Sequence, residues 1–220
     1  GIFVGTSGCD SAAYRTHIYN NVVINAGLPA AWNGSDPESQ NGPTTAGISV
    51  GSNDPVGRSV PHRIYNNTIM GWSAIAPSEN GAQSCFGFES SGYKMAEINQ
   101  NICSTDLDKK FVGNGYKGLE NAIVSGSGNV LYSSVSNPVK AIVPSLFTNS
   151  ITASPQVSLV GPTTTVTVGS IGQMTLSVRV ELSSSSPLRD SVTKSALTPL
   201  RDIYGKLRGD LTAPGAVEGN

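Results

Sequence analysis

Charge is scarce in this chain. Asp, Glu, Lys and Arg make up 13% of its 220 residues and leave a formal net charge of -1, whereas soluble domains typically carry about 25% charged residues. No basic stripe is present, so nucleic-acid binding is not expected. No run of about 18 apolar residues occurs, so no membrane insertion is expected either. A basic amphipathic helix of the kind that lies on membranes is also missing, as is a signal-peptide pattern. The three cysteines, Cys9, Cys85 and Cys103, form no CxxC pair, and two histidines complete no zinc-finger spacing. Buried free thiols are the simplest expectation, with one disulfide and one leftover cysteine as the alternative. Helical periodicity is scarce as well, because few windows combine apolar i, i+3, i+4 spacing with good helix formers.

Gly, Ser, Asn and Thr fill the space that charge leaves. They suit short strands and tight turns. The strands repeat. Ile18-Tyr19-Asn20-Asn21 recurs 46 positions on as Ile64-Tyr65-Asn66-Asn67, and Gly1-Ile2-Phe3-Val4-Gly5 recurs at the same offset as Gly47-Ile48-Ser49-Val50-Gly51. Each unit thus reads as a Gly-Ile-x-Val-Gly strand, a connector and an Ile-Tyr-Asn-Asn strand. Weaker copies follow. Phe86–Glu89 leads to Ile98-Asn99-Gln100-Asn101, and Asn121–Val124 leads to Gly128-Asn129-Val130. Gly1 already belongs to a repeat, so further coils are expected upstream.

Asn21, Asn67, Asn101 and Asn129 fall at one place in four successive units. Stacked coils bring equivalent residues to about 4.8 Å from one another. An amide carries donor and acceptor together, so such a column can bond along its length. Asparagine also tolerates the left-handed backbone of a sharp turn. These four are therefore expected to form a structural ladder. The fold expected is all-β: a right-handed parallel β-helix solenoid of about four coils over 1–135, terminal strands or a cap over 136–182, and a closing segment over 183–220. A β-sandwich competes for a chain of short strands, but it does not predict two matches at one offset.

The insertions all follow the Asn-bearing strand, at roughly 28–46, 72–85 and 104–118. Loops on one side of a repeat array often form its binding face. They hold Trp32, Trp72, Phe111 and Tyr116, with Asp36, Glu38, Glu79, Asp106, Asp108, Lys109 and Lys110. An exposed indole beside carboxylates is a sugar platform, because the ring stacks on a pyranose while polar groups read its hydroxyls. Trp32, Trp72, Tyr116, Asp36 and Glu79 are the expected binding residues. The alternative is that both tryptophans pack their own loops onto the wall.

Ser186-Pro187-Leu188-Arg189-Asp190, Arg201–Arg208 and Pro214-Gly215-Ala216-Val217-Glu218 resemble the closing motif of right-handed β-helices of the pectate-lyase-like superfamily, and the Ile-Tyr-Asn-Asn coils are similar to that superfamily too. The match departs at Leu188-Arg189, at the missing glycine after Asp190, and at Val217 in place of an aromatic. The resemblance implies a secreted or virion-surface location and long acidic or capsular polysaccharides. It covers lyases, glycoside hydrolases, epimerases, surface adhesins and the tailspikes of phages. A tailspike would be expected to form a homotrimer.

Catalytic signatures are missing. A lyase would need a base, for which Lys94 and Arg63 are candidates, beside calcium-binding carboxylates. Calcium takes about six to eight oxygens, and Glu89, Glu97 and Glu120 are scattered. No metal or cofactor is therefore expected. A hydrolase would need two carboxylates about 5 to 9.5 Å apart, for which Asp36 or Glu38 with Glu79 is the candidate pair. Asp54, beside Asn53 and Pro55, suits a turn. In the 46-residue frame His17 matches Arg63 and His62 matches Thr16, so no histidine column forms. No Gly-x-Ser-x-Gly elbow occurs. Whether the chain is an enzyme, and which glycan it engages, stays open at this level.

Overall fold

A computed structural model describes residues 1–6, 16–26, 46–52, 61–72, 84–88, 96–114, 123–161 and 179–218. All of the regular structure among them is β, in seventeen strands. Twelve form a repeating triplet. The first is β1 (Ile2–Thr6), β2 (His17–Tyr19) and β3 (Val22–Ala26). The second is β4 (Ile48–Ser52), β5 (His62–Tyr65) and β6 (Thr68–Trp72). The third is β7 (Ser84–Phe88), β8 (Ala96–Asn99) and β9 (Ile102–Thr105), and the fourth is β10 (Lys110–Asn114), β11 (Ile123–Ser127) and β12 (Val130–Ser133).

Each triplet is one layer, and it contributes one strand to each of three parallel sheets. Sheet A runs β1-β4-β7-β10, sheet B runs β2-β5-β8-β11, and sheet C runs β3-β6-β9-β12. A fifth strand, β13 (Phe147–Thr148), extends sheet B below β11. The 46-residue repeat is the pairing register itself: Ile2 lies against Ile48, Val4 against Val50, and Ile18 against Ile64.

Two details differ from the repeat as read in the sequence. The Asn-bearing strand is two strands with a turn between them. In addition, Lys110–Asn114 is the fourth rung of sheet A, with Gly113 against Gly87, whereas Ile123–Ser127 belongs to sheet B. Phe111 is thus a buried strand residue.

One core lies between the three sheets. Sheet A gives it Ile48, Val50, Phe86 and Phe88, sheet B gives Ile18, Ile64 and Ile98, and sheet C gives Val23, Ile69, Cys103 and Leu131. Identical side chains stack on identical side chains, as at Ile18, Ile64 and Ile98. Each such burial is worth roughly 1.5–3 kcal/mol. The lower end is closed by 134–148, where Ala141 and Phe147 enter the core with Val143 and Leu146 against it. Asp108 fastens this end, accepting the backbone N–H groups of Val139, Lys140 and Ala141 at 2.9, 2.7 and 3.0 Å. Withdrawal from water pushes its pKa up, but the three donors and the Lys140 charge outweigh this and hold the carboxyl below its ordinary value.

A disulfide joins Cys85 of β7 to Cys103 of β9, so these two cysteines are not the free thiols expected. Both sit in the core with no exposure. The bond links sheet A to sheet C within the third layer and closes a loop of 18 residues, for which chain entropy gives about 3 kcal/mol. A Cys85→Ala/Cys103→Ala variant should therefore lose about 2–4 kcal/mol by chemical denaturation. An unchanged midpoint would show that the third layer does not need the bond. Cys9 lies outside the described residues.

The turn between sheets B and C carries two columns. Asn20, Asn66, Gln100 and Gly128 take φ of 54°, 53°, 54° and 63°, the left-handed region. The next residue in each layer, Asn21, Asn67, Asn101 and Asn129, forms an amide ladder. Asn21 Nδ2 donates to Asn67 Oδ1 at 2.9 Å, Asn67 Nδ2 to Asn101 Oδ1 at 2.9 Å, and Asn101 Nδ2 to Asn129 Oδ1 at 3.1 Å. The backbone N–H of each upper residue donates to the same oxygen. The left-handed turn and the ladder, both given to one asparagine in the sequence reading, belong to neighbouring residues. Asn149 continues the first column with φ 51°. The second column ends at Ser150, whose hydroxyl makes no hydrogen bond.

The remaining strands pair antiparallel: β14 (Val157–Val160) with β15 (Arg179–Leu182), and β16 (Val192–Thr193) with β17 (Leu211–Thr212). β14 and β15 do not extend the parallel sheets. Instead Val157 and Val180, with Ala216 and Val217, pack against Val22 and Met70 of sheet C. Ile102 and Val130 are covered in the same way by Leu182, Leu188 and Ala213. The segment is held by Arg208, whose side chain is fully buried and pairs with Glu218 at 2.9 Å. Burial pushes its pKa down, opposed by Glu218 and Asp202. The same guanidinium donates to the carbonyls of Ala213 and Gly215 at 3.0 and 2.8 Å. Gly215 needs its positive φ of 87° and its missing side chain, since a Cβ there would meet Thr68 and Ile102 at 2.6 Å.

Candidate functional site

Three sheets have three outer faces, and their burial separates them. Every residue of β7 in sheet A is buried. The closing segment covers part of the outer face of sheet C, at Val22, Met70, Ile102 and Val130. Sheet C keeps a partly open column of Ile24, Met70, Ser104 and Tyr132, whereas among the described residues sheet B presents charged, aromatic and amide side chains outward over several layers. Parallel sheets are usually covered on both faces, so an open one points to use.

Two columns make up this face. His17, Arg63, Glu97 and Ser125 are in register, as are Tyr19, Tyr65, Asn99 and Ser127. Strand alternation sends Ile18, Ile64 and Ile98 inward between them. Tyr19 stacks on Tyr65 with centroids 5.1 Å apart and planes 7° apart. His17 meets the same ring edge-on and places Nδ1 3.0 Å from Tyr65 Oη. Arg63 Nε donates to Glu97 Oε2 at 2.8 Å, so this pair is neutral as a unit. Tyr19 remains 46% exposed, whereas Tyr65 is 7% exposed. Burial, and then the Tyr19 hydroxyl, push the Tyr65 phenol up, with Arg63 opposing. Tyr65 therefore stays neutral and serves as a ring and a hydroxyl.

The face runs into a groove of about 590 Å³, where 191–197 of the closing segment overhangs the turn column. Asn99 and Ser127 are shared between face and groove. Gln100 fixes the overhang, donating to the Thr193 carbonyl at 2.8 Å and accepting from the Thr198 hydroxyl at 2.8 Å. A smaller groove of about 280 Å³ lies in the closing segment between Arg179, Asp202 and Glu218. Arg179 stacks 4.8 Å over the Tyr204 ring there.

The residues expected to bind from sequence fare differently. Trp72 is 1% exposed. Its ring packs on Phe111, and its Nε1 donates to the Lys110 carbonyl at 3.0 Å. As the last residue of β6 it faces the core, so it is a wall residue and presents no platform to a sugar. Trp32, Asp36, Glu79 and Tyr116 lie outside the described residues, as do Glu38, Glu89, Lys94, Glu120 and Asp54. Asp108 serves the fold, as described above. Arg63, weighed as a base, is tied to Glu97. Among the described residues no three His, Cys, Asp or Glu side chains gather as metal ligands would.

The Tyr19 and Tyr65 pair was legible only as part of a repeat. The exposure of Tyr19 in the folded sheet is what reveals it as surface. Comparison of the chain with protein-family models, with curated proteins and with solved structures finds no match.

Proposed function

We propose that this chain is part of a right-handed parallel β-helix of the pectate-lyase-like kind that acts outside the cell, as in a tailspike or surface adhesin, and engages polysaccharide along sheet B. The observation that carries this reading is the open face itself. It offers an exposed tyrosine ring, a neutralised Arg63–Glu97 pair, amides and hydroxyls in consecutive rungs. Rings supply an apolar surface with a polar tip, and rungs about 4.8 Å apart suit an extended polymer. The buried disulfide favours an oxidising compartment.

Glycan-array binding of the intact chain tests the proposal, beside a Tyr19→Ala/Arg63→Gln variant shown to be folded by circular dichroism. Binding should fall about tenfold or more, the loss of roughly 1.4 kcal/mol. Silence from a folded wild type, or binding unchanged in the variant, would overturn it. Turnover of the bound glycan would instead identify the distal part of a lyase or glycoside hydrolase.

A second reading is a structural closing or trimerising segment. It draws on the exposed Leu200, Leu207 and Leu211, at 62%, 55% and 55%. Sedimentation of the chain as a trimer, together with no glycan binding, would favour it.

A further inference from the structure

We infer that the groove under residues 191–197 takes an uncharged stretch of glycan, so that the preferred ligand is a neutral oligosaccharide rather than an acidic one. This rests on the polysaccharide reading above and specifies its chemistry. None of the described residues lining the groove carries a charged side chain. Asn99, Ser127, Asn149 and Thr193 line it with amides and hydroxyls, and Ala196 and Leu197 add an apolar wall. Hydroxyl and amide groups both donate and accept, as a neutral sugar requires, while the apolar wall suits the C–H face of a pyranose ring.

The polar groups are available. Asn99 uses its Oδ1 to accept the Ser127 N–H at 3.0 Å, which orients its Nδ2 as a fixed donor. The volume of about 590 Å³ falls within the roughly 300–1,000 Å³ of small-ligand sites. A carboxylate moved into this groove would lose water and meet no cation among the lining residues, which is costly. The nearest charges on the adjoining face, Arg63 and Glu97, already cancel one another at 2.8 Å. The groove is also held open by the fold, since Gln100 bonds both Thr193 and Thr198 across its floor.

The test is calorimetric titration of the intact chain with a neutral galacto-oligosaccharide and with an oligogalacturonide of equal length, alongside an array holding neutral and acidic glycans. Neutral ligands should bind about tenfold tighter than their acidic counterparts, a difference of roughly 1.4 kcal/mol. Ala196→Trp, at an exposed position, should block the groove and abolish neutral binding. Thr193→Ala should weaken it about threefold to tenfold, the range of one hydrogen bond. Equal or tighter binding of acidic ligands to the folded chain would overturn the neutral preference and leave the polysaccharide reading standing. Neutral binding that survives Ala196→Trp would overturn the groove assignment. A folded chain that binds nothing on the array would overturn both.

Discussion

Replacing Asn101 with alanine is expected to lower the unfolding free energy by about 3–5 kcal/mol, because buried groups left without partners cost about 1–3 kcal/mol each. Asn101 is fully buried at the centre of the ladder. Its Oδ1 accepts from both the backbone N–H and the side-chain Nδ2 of Asn67. Its Nδ2 donates to the Ile64 and Asn99 carbonyls and to Asn129 Oδ1. Alanine leaves the Asn67 N–H without its acceptor and the Ile64 carbonyl without its side-chain donor in the second layer, beside a cavity. The loss is a large part of the roughly 5–15 kcal/mol that holds a domain together.

Asn21→Ala, at the partly exposed end of the column, removes one rung donor and should cost only about 1 kcal/mol. Asn101→Asp keeps the size but removes the donor, and it should not restore stability. Denaturant titration of the three variants checks this. Equal losses at positions 21 and 101, or rescue by aspartate, would mean that the amides fill space and do not act as a bonded column.

The second large effect is expected at Arg208. Arg208→Met should destabilise the closing segment by about 3–5 kcal/mol, since breaking one side of a buried pair strands the other charge. The stranded group is Glu218, 9% exposed in its side chain, which also accepts from the Ala213 N–H and the Thr212 hydroxyl. Adding Glu218→Gln should recover a good part of the loss, because it removes the orphaned charge. Limited proteolysis reads the location as well as the size. Cuts should appear in 179–218 while the three parallel sheets persist. A double variant worse than the single one would show that the pair acts through its separate hydrogen bonds and not through charge balance.

Much of the stack was legible in the sequence, because a parallel array writes its register directly into residue spacing. Ile18 and Ile64 lie side by side in sheet B for the same reason that they lie 46 positions apart in the chain. The fourth rung of sheet A was harder to see. Lys110–Asn114 keeps Val112 and Gly113 against Phe86 and Gly87 but has lost the Gly-Ile opening, so it resembled loop. Trp72 misled for a related reason. An aromatic at a strand end next to an insertion looks the same in sequence whether it points inward or outward, and only the β6 alternation decides. The open face of sheet B could not be read at all. Which outer columns are covered depends on residues distant in sequence, as where Val180 and Ala216 pack on Val22 and Met70, and no local pattern records what covers what. The disulfide was equally hidden, since its partners are neighbours only through the third layer.

The closing segment touches the turn column in successive layers. The Asn20 amide donates to the Arg201 carbonyl, the Thr68 hydroxyl accepts from Ala216, and the Gln100 carbonyl accepts from Gly215. Val192 stands 3.3 Å from where a side chain on Gly128 would begin. Repeat arrays ordinarily bond only to their neighbours and can fray piecemeal from an end. Here the first layer is tied to a residue 181 positions away, and such distant contacts form late. Because chains are made and fold from the N-terminus, the early layers can stack as they emerge. They gain their lengthwise fastening only when residues 179–218 have left the ribosome, so a nascent chain passes through an assembled but unlatched stage in which the outer face of sheet C is bare.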